Sequence, residues 1–161
     1  ELMVNIHIED KKTFTSNLFI KNTFDDYLLV EAAITTFNTY TIDGRIQKKF
    51  YSDKEYEELG SPLLSSWGDM KKICFEMIKG SRTPLKFKIV LKLPEEKTGD
   101  IVSKAGGTLT VNDVQGLLLN IRYENDSMDC ITAATLKLFS MDKSVEEELD
   151  RYMDKMLSCM A

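Results

Sequence analysis

Cationic side chains and two asparagines are the residues of this sequence whose types most clearly suggest a chemical role. Arginine presents a planar fork that matches a carboxylate or phosphate, and asparagine is disfavoured within a strand unless it has a partner. If the fold brings these residues together, they predict a binding site for a small anion. The candidate residues are Asn38, Arg45, Lys79, Arg82, Asn120 and Arg122. The alternative is structural, since the chain has 26 Asp and Glu residues that can form ordinary ion pairs with these cations.

The second basic feature is a row of lysines, Lys86, Lys88 and Lys92, on one side of a strongly alternating segment. We interpret the row as a solvated sheet face or as a guard against strand addition at a sheet edge. A weak nucleic-acid surface is the alternative. Such a surface usually interleaves aromatic residues, whereas Val90 is the only apolar residue among these lysines. We therefore do not expect nucleic acid to be the main partner.

Catalytic and metal chemistry find little support in the sequence. His7 is the only histidine, so a Ser-His or Cys-His pair would have a single possible base. Cys74, Cys130 and Cys159 are widely spaced and contain no CxxC pair of the kind used in zinc or redox sites. The GxGxxG, GxxxxGK[ST] and GxSxG patterns are also missing. We expect no catalytic residues, no metal site and no cofactor.

Composition predicts one globular domain over residues 1–161. Hydrophobic residues make up 43% of the chain and charged residues 29%, and the formal net charge is -5. These values are ordinary for a protein with a real core, and a mildly acidic chain is not drawn non-specifically to nucleic acid or anionic membranes. The sequence has no run of about 18 apolar residues and no signal-peptide pattern. Together with the unpaired cysteines, these features predict a cytoplasmic protein without membrane association.

Alternation of apolar and polar residues predicts an α+β fold with a mainly antiparallel sheet covered by helices. The predicted strands are residues 3–8, 27–42, 45–51, 85–93, 117–123 and 128–139. Asp43-Gly44 lies between two strand-like runs and predicts a tight hairpin. The first strand of that hairpin is long, so we also consider a bulge near Thr35 and Thr36.

Helix-start signals separate these strands. Asp10 is a predicted N-cap, and helices are expected between the two strand hairpins and at the C-terminal end of the chain. Capping boxes are predicted at Ser52 with Glu55 and at Ser144 with Glu147, and Ser61-Pro62 predicts the start of a further helix. The element order is then β-α-β-β-α in each half. This order predicts a possible duplication of residues 3–80 and 84–160, for which a short echo between residues 50–59 and 139–149 is the other support.

Three stretches of the chain resemble a family of small, uncharacterised, single-domain bacterial proteins. They are TTFNTYTIDGR at residues 35–45, IKGSRTPLKFKI at residues 78–89 and GLLLNIRY at residues 116–123. The likeness runs over nearly the whole chain after Met3. The resemblance implies a bacterial, cytosolic, single-domain protein and carries no activity, ligand or partner with it.

Three functions remain open at this point. The first is a non-enzymatic protein-binding or assembly module that presents a surface to another protein or to a second copy of itself. The second is a small protein or enzyme that binds an anionic ligand through Arg45, Arg82 and Arg122. The third and weakest is nucleic-acid binding through the lysine row.

Overall fold

A six-stranded sheet and five α-helices make up the computed structural model, which describes residues 5–160. In chain order the elements are β1 (Asn5–Ile8), α1 (Lys11–Phe19), β2 (Leu28–Thr35), β3 (Thr39–Asp43), α2 (Asp53–Glu58), α3 (Trp67–Ile78), β4 (Lys86–Lys92), α4 (Glu95–Ala105), β5 (Val114–Glu124), β6 (Ser127–Leu136) and α5 (Ser144–Ser158). Short 3-10 turns occupy Lys48–Phe50 and Val111–Asp113. The α+β class is confirmed, although Met3 and Val4 of the first predicted strand lie outside the described residues.

The strands lie in the order β1-β6-β5-β4-β2-β3, and every neighbouring pair is antiparallel. Register carries one apolar row across the sheet: Ile34 faces Phe87, which faces Tyr123, which in turn faces Met128. Because side chains alternate along a strand, these residues and their i±2 neighbours share one face. That face forms the hydrophobic core together with the helices.

Helices α1, α3, α4 and α5 each contribute buried apolar side chains to this one core. Trp67 at the start of α3 is fully buried, and its indole nitrogen donates to the Leu18 carbonyl at 2.7 Å. Phe19 of α1 stacks on Phe75 of α3 and meets the edge of Phe87 in β4. The aromatic contacts therefore fix α1 and α3 to the sheet.

The predicted Asp43-Gly44 hairpin is wrong. The chain instead turns at residues 36–38, so the predicted strand 27–42 is two strands, and the expected bulge near Thr35 and Thr36 is the turn itself. Gly44 continues the edge ladder by donating to the Val30 carbonyl at 2.9 Å. A Cβ at Gly44 would lie 1.8 Å from the Leu29 carbonyl oxygen, so glycine is needed here for close backbone approach rather than for a turn.

Residues 45–51 therefore do not form the second strand of a hairpin. Arg45 makes only an isolated bridge to Leu64, and residues 48–50 form a 3-10 turn. The real two-residue hairpin of the sheet lies at Asn125 and Asp126, between β5 and β6, where both residues have positive φ. Asn and Asp tolerate that conformation better than most residues, which explains why this turn is tight.

Two predicted helix starts also differ from the structure. Ser66 rather than Ser61 caps α3, because its hydroxyl accepts from the Asp69 backbone amide, and Leu63 is left outside the helix. The capping box at Ser52 and Glu55 is confirmed in α2, whereas Ser144 and Glu147 form none. At the start of α5 the carboxylate of Asp142 instead accepts from the Ser144 amide at 2.9 Å. In both cases the residue that caps the helix lies near the predicted one in the sequence, and residue spacing alone does not distinguish the two.

The two halves of the chain repeat the order of their elements but place their strands differently. In the second half, β4, β5 and β6 are consecutive neighbours. In the first half, β2 and β3 are neighbours, while β1 lies at the far edge of the sheet beside β6. The order of helices and strands along the chain thus repeats, but the order of the strands across the sheet does not.

Candidate binding face

One face of the sheet is left without helices. The register places the alternate residues of β1, β6, β5, β4, β2 and β3 on this side, which we call the open face. Its main members are His7, Glu31, Ala33, Thr35, Thr39, Thr41, Asp43, Lys86, Lys88, Val90, Lys92, Leu118, Asn120, Arg122, Glu124, Ser127, Asp129, Ile131 and Ala133. The core consists of side chains from the other face and from four helices, and no residue of this set belongs to it.

Cations concentrate at the centre of the open face. Lys88 of β4 lies directly opposite Arg122 of β5, so two like charges face each other across the strands. Lys88 pairs with Glu31 at 3.0 Å. For Lys86, Lys92 and Arg122 there is no ion pair within residues 5–160. Like charges placed opposite each other repel, but Arg122 also lies opposite Asp129 on β6 and Lys86 opposite Glu124, so attractive neighbours accompany this repulsive pair.

Three of these cations, but not Lys92, line a shallow groove of about 390 Å³ that extends from the Lys88–Arg122 pair to the Lys86 end of β4. It is lined by Lys86, Lys88 and Arg122 together with Thr35 and Thr39 and, at its rim, Glu124. The groove therefore joins three positive side chains to two hydroxyls, which is a set suited to accept carboxylates.

Apolar residues lie beside the cations. Leu118, Ile131 and Ala133 are half-buried neighbours on β5 and β6, and Val90 is only 4% exposed. The aliphatic stem of Lys92 lies over Gly116, where an added Cβ would come within 2.9 Å of the lysine Cε. The stem thus covers apolar surface while its charge stays accessible to solvent. The open face consequently offers both hydrophobic contact area and positive charge.

Asn120 sits in the middle of this face, opposite Val90 on one side and Ile131 on the other. Its Oδ1 atom is buried and has no hydrogen-bond partner within the described part of the chain. An unsatisfied buried acceptor costs roughly 1–3 kcal/mol. Asn120 was expected to need a hydrogen-bond partner because it lies within a strand. Among the described residues its Oδ1 atom has none, so the asparagine lowers the local stability of the sheet.

The structure separates the other predicted anion ligands. Arg45 lies about 20 Å from Asn38, because β3 runs between them at ~3.3 Å per residue. The Arg45 guanidinium is held by Asp43, with Nη2 at 2.6 Å from Oδ2. That contact lowers the pKa of Asp43 to about 2. Of the six candidates, only Asn120 and Arg122 share one face of one strand.

Lys79, Arg82 and Asn38 lie in connections at the same end of the sheet as Arg122. Lys79 closes α3 and pairs with Glu76 at 2.9 Å. Arg82 is exposed in the segment between α3 and β4, and Asn38 is exposed in the β2–β3 turn. Lys86 and Lys88, which the sequence suggested as part of a solvated row, line one groove with Arg122, whereas Lys79, Arg82 and Asn38 do not.

A family model for DUF5721, described as a family of unknown function, matches residues 17–160. The chain belongs to this family. The expected resemblance to an uncharacterised family is thereby confirmed. Searches among curated proteins and among solved structures find no match. DUF5721 membership itself assigns no activity to the open face.

A second groove, which the sequence did not predict, is lined by residues within the part of the chain that matches DUF5721. It has a volume of about 710 Å³ and runs between α4 and α5. Ile101, Tyr152 and Met156 contribute apolar surface, and the charged lining residues are Lys97, Asp100, Lys104, Glu148, Arg151 and Lys155. These charges lie on two helices far apart in sequence, so their convergence is visible only once the helices are paired.

Two thiols of this DUF5721 protein, Cys74 and Cys130, lie buried in the core. Burial raises the pKa of Cys74 to about 11 and that of Cys130 to about 12, so both thiols are protonated at neutral pH. Among residues 5–160, no group of three or more His, Cys, Asp or Glu side chains is arranged to hold a metal ion. Over the same range, none of the helices combines the length and the apolar character required to cross a membrane.

Proposed function

We propose that this chain is a non-enzymatic protein-binding module that docks an acidic protein surface on its open face. The observation that carries the proposal is the facing pair Lys88 and Arg122, flanked by Lys86 and Lys92, on an uncovered sheet. Three of these four cations have no ion pair within the described range. Cations without an ion pair on an uncovered surface remain available to the carboxylates of another molecule.

The mixed chemistry of the open face favours a protein over a nucleic acid. Stacking on aromatic side chains is a main source of affinity for single strands, and the described members of this face include no Phe, Tyr or Trp. Glu31, Glu124 and Asp129 lie between and beside the cations, where they would repel a continuous phosphate backbone. Discrete carboxylates with apolar neighbours fit Leu118, Ile131 and the cations better.

A bacterial and cytoplasmic origin is part of the same proposal. The three cysteines are free, two of them buried and one exposed. Reduced thiols are typical of a reducing compartment. The family resemblance of the sequence points in the same direction.

The test compares charge reversal on the open face with the same reversal elsewhere. We expect the triple variant Lys86→Glu, Lys92→Glu and Arg122→Glu to bind a fluorescent poly-glutamate peptide at least tenfold more weakly than the wild type. The control reverses Lys12, Lys21 and Lys72, which are exposed cations in or next to α1 and α3 on the helix side of the sheet, and should bind like the wild type. Equal loss in both variants would reduce the effect to net charge and overturn the proposal.

A second arm of the experiment uses a single-stranded oligonucleotide at the same salt concentrations. The proposal expects the peptide to bind more tightly than the oligonucleotide. The reverse order, with a steep salt dependence, would replace the acidic protein by nucleic acid as the partner. A photo-crosslinking residue at Leu118 should in addition form protein adducts in cells, while one at Ile73 on the exposed side of α3 should not.

The α4–α5 groove favours a second candidate function, the binding of a small amphiphilic anion. Its volume lies in the usual range for ligand sites, and its lining combines apolar floor residues with four cations and two carboxylates. Lys97 is engaged by Asp26 at 3.0 Å, and Glu148 engages both Arg151 at 2.9 Å and Lys104 at 4.0 Å. Lys155 is then the one lining cation without an ion pair among the described residues. A medium-chain fatty acid at millimolar concentration should raise the Tm, and Lys155→Gln should reduce the shift. No shift would discard this candidate.

A further inference from the structure

Strand β3 is one edge of the sheet, and the hydrogen bonds at its two ends show which of its backbone groups face outward. At one end, the Gly44 amide donates to the Val30 carbonyl at 2.9 Å. At the other end, the Thr36 amide donates to the Asn38 carbonyl at 2.9 Å. Hydrogen-bonded pairs alternate along an antiparallel ladder, so these contacts assign the even-numbered residues of β3 to β2. The amides and carbonyls of its odd-numbered residues therefore face away from the sheet.

The outer side of β3 consequently offers a row of amides and carbonyls to another chain. The residues that carry these groups are Thr39, Thr41 and Asp43. Over residues 5–160, no strand, isolated bridge or backbone hydrogen bond of the chain reaches this side. A row of unpaired donors and acceptors along a strand is a template to which another extended segment can add.

Strand β3 also lacks the features that usually prevent strand addition. Its sequence, Thr-Tyr-Thr-Ile-Asp, contains neither proline nor lysine, and its register with β2 has no bulge. Its single charged residue, Asp43, is already paired with Arg45 at 2.6 Å. The lysines of β4 lie two strands further into the sheet, so they do not guard this edge.

A second copy of β3 fits this edge in one antiparallel register. A two-fold axis through Thr41 pairs Thr41 with Thr41 of the second copy, and Thr39 with Asp43. All three outward residues of both copies are then used, which gives about six backbone hydrogen bonds, two for each hydrogen-bonded pair. An axis through Tyr40 or Ile42 instead leaves one outward residue of each copy opposite a residue outside β3. The edge is thus complementary to itself when the axis lies at its central residue.

The side chains agree with this register. On the helix side of the sheet, half-buried Tyr40 lies opposite Ile42 of the second copy, and aromatic residues stabilise a sheet when they face β-branched ones. On the other side, Thr41 faces its own copy and Thr39 faces Asp43. Within β3, no two like charges therefore meet across the axis.

Phe37 gives a further reason to expect a second copy at this edge. It lies in the turn between β2 and β3 and is 87% exposed. Phe37 and Arg45 lie two residues beyond opposite ends of β3, so the axis through Thr41 brings Phe37 of one copy toward Arg45 of the other. A guanidinium is attracted to the face of an aromatic ring. Since the axis repeats this contact, both exposed rings gain a partner.

We infer that two copies of this chain associate through antiparallel pairing of their β3 strands about a two-fold axis at Thr41. The same patch serves both copies, so the contact closes into a dimer and does not continue to a third. Residues that face each other across an antiparallel pair project to the same side of the sheet. The two sheets therefore join into one, with both open faces on the same side. This inference goes beyond the proposed function and does not depend on it, because it uses the backbone of the sheet edge.

The test places matched charges at the axis and measures mass by light scattering over a range of concentrations. The wild type should rise toward the mass of two chains. Thr41→Lys and Thr41→Glu should each weaken association at least tenfold, because each new charge faces its own copy. An equimolar mixture of the two variants should regain association, since lysine then faces glutamate. Circular dichroism should show that both variants are folded.

The control carries the same change at the opposite edge of the sheet. Asn5→Lys adds a lysine at an exposed residue of β1 and should associate like the wild type. Loss of association in Asn5→Lys but not in Thr41→Lys would move the contact to β1 and overturn the inference. A wild type that is monomeric at every concentration would also overturn it and leave the edge to a strand from another protein.

Cysteine crosslinking tests the register itself. The background is Cys159→Ser, because Cys159 is the exposed thiol while Cys74 and Cys130 are buried. Thr41→Cys should form a disulfide-linked dimer under mild oxidation, since Cα atoms of a hydrogen-bonded pair lie about 5.5 Å apart, within the range of a disulfide. Thr39→Cys is the matched variant and should not crosslink, because its two copies are four residues out of register, roughly 13 Å along the strand. Crosslinking of Thr39→Cys alone would reject the axis at Thr41.

Discussion

Strand β5 shows both sides of the molecule within a few residues. On the helix side, Leu117, Leu119 and Ile121 are fully buried in the core. On the open side, Leu118 is half-buried, Asn120 has an unsatisfied Oδ1, and Arg122 faces Lys88. The helix side of β5 is purely apolar, whereas the open side combines a half-buried leucine with an unsatisfied amide and a repulsive charge pair. Departures from local consistency tend to occur where a protein binds something, so the open side of β5 is the better candidate for a binding surface.

Truncating adjacent leucines on β5 gives the largest expected contrast between the two faces. Leu119→Ala removes a fully buried side chain and should lower the free energy of unfolding by about 2–5 kcal/mol, because a cavity remains in the core. Leu118→Ala, on the open face, should cost less than about 1 kcal/mol. Urea denaturation of both variants measures the difference. Equal losses would mean that the open face is covered in solution.

Two glycine substitutions compare close backbone packing at the sheet edge with the looser packing of the open face. Gly44→Ala places a Cβ 1.8 Å from the Leu29 carbonyl oxygen, and the backbone has to move, so we expect a loss of about 1–3 kcal/mol. Gly116→Ala on the open face meets only the flexible end of Lys92 at 2.9 Å. Its unfolding free energy should stay within about 0.5 kcal/mol of the wild type. A costly Gly116→Ala would show that the Lys92 stem is fixed rather than adaptable.

Lowering the pH should reduce the free energy of unfolding through Asp142. The carboxylate of Asp142 links Ser144 at the start of α5 to Thr108 in the connection between α4 and β5. Hydrogen bonds from Ser144 and from Thr108 lower the pKa of Asp142 below its ordinary value. A lowered folded-state pKa means that the contribution to stability is complete above pH ~4 and is lost as pH falls through the folded pKa. Wild type should therefore exceed Asp142→Asn in unfolding free energy at neutral pH.

The difference between wild type and Asp142→Asn should then narrow below pH ~4, as urea titrations across pH will show. Asp154→Asn, at an exposed carboxylate on α5, is the control and should give a flat difference. A difference that widens in acid would contradict the assigned sign. The expected effect is smaller than that of Gly44→Ala, because the carboxylate is exposed to solvent.

The fold was largely predictable from the sequence because strand alternation and N-caps are local signals. Phe87, Ile89 and Leu91 gave the helix-side face of β4, and Asp10 gave the start of α1. Asp43-Gly44 misled because the residues that form a tight turn also permit close backbone approach. Which of the two uses applies depends on Leu29, a residue of the neighbouring strand that no local pattern identifies.

The candidate site was predictable only in part, for a similar reason. The row of Lys86, Lys88 and Lys92 was visible as alternation within one strand. Its meeting with Arg122 depends on the pairing of β4 with β5, which sequence spacing does not determine. The exposure of Phe50 and Leu63 was hidden as well, since both resemble core residues in the sequence. Long-range register, rather than residue type, carries the missing information.

The smallest expected effect is the repulsion between Lys88 and Arg122, and a double-mutant cycle isolates it from their other contacts. Lys88→Gln also loses the Glu31 ion pair and Arg122→Gln also changes the surroundings of Asp129, but these single-site terms cancel in the cycle. The coupling should be unfavourable by about 0.2–1 kcal/mol at low salt. It should vanish near 1 M salt, where the screening length is about 3 Å. The matched cycle at Lys86 and Glu124, which face each other with opposite charge, should give a coupling of the other sign. A favourable Lys88–Arg122 coupling would mean that an anion already bridges the two cations, which would move the open face from an acceptor of protein carboxylates to a site for a small anion.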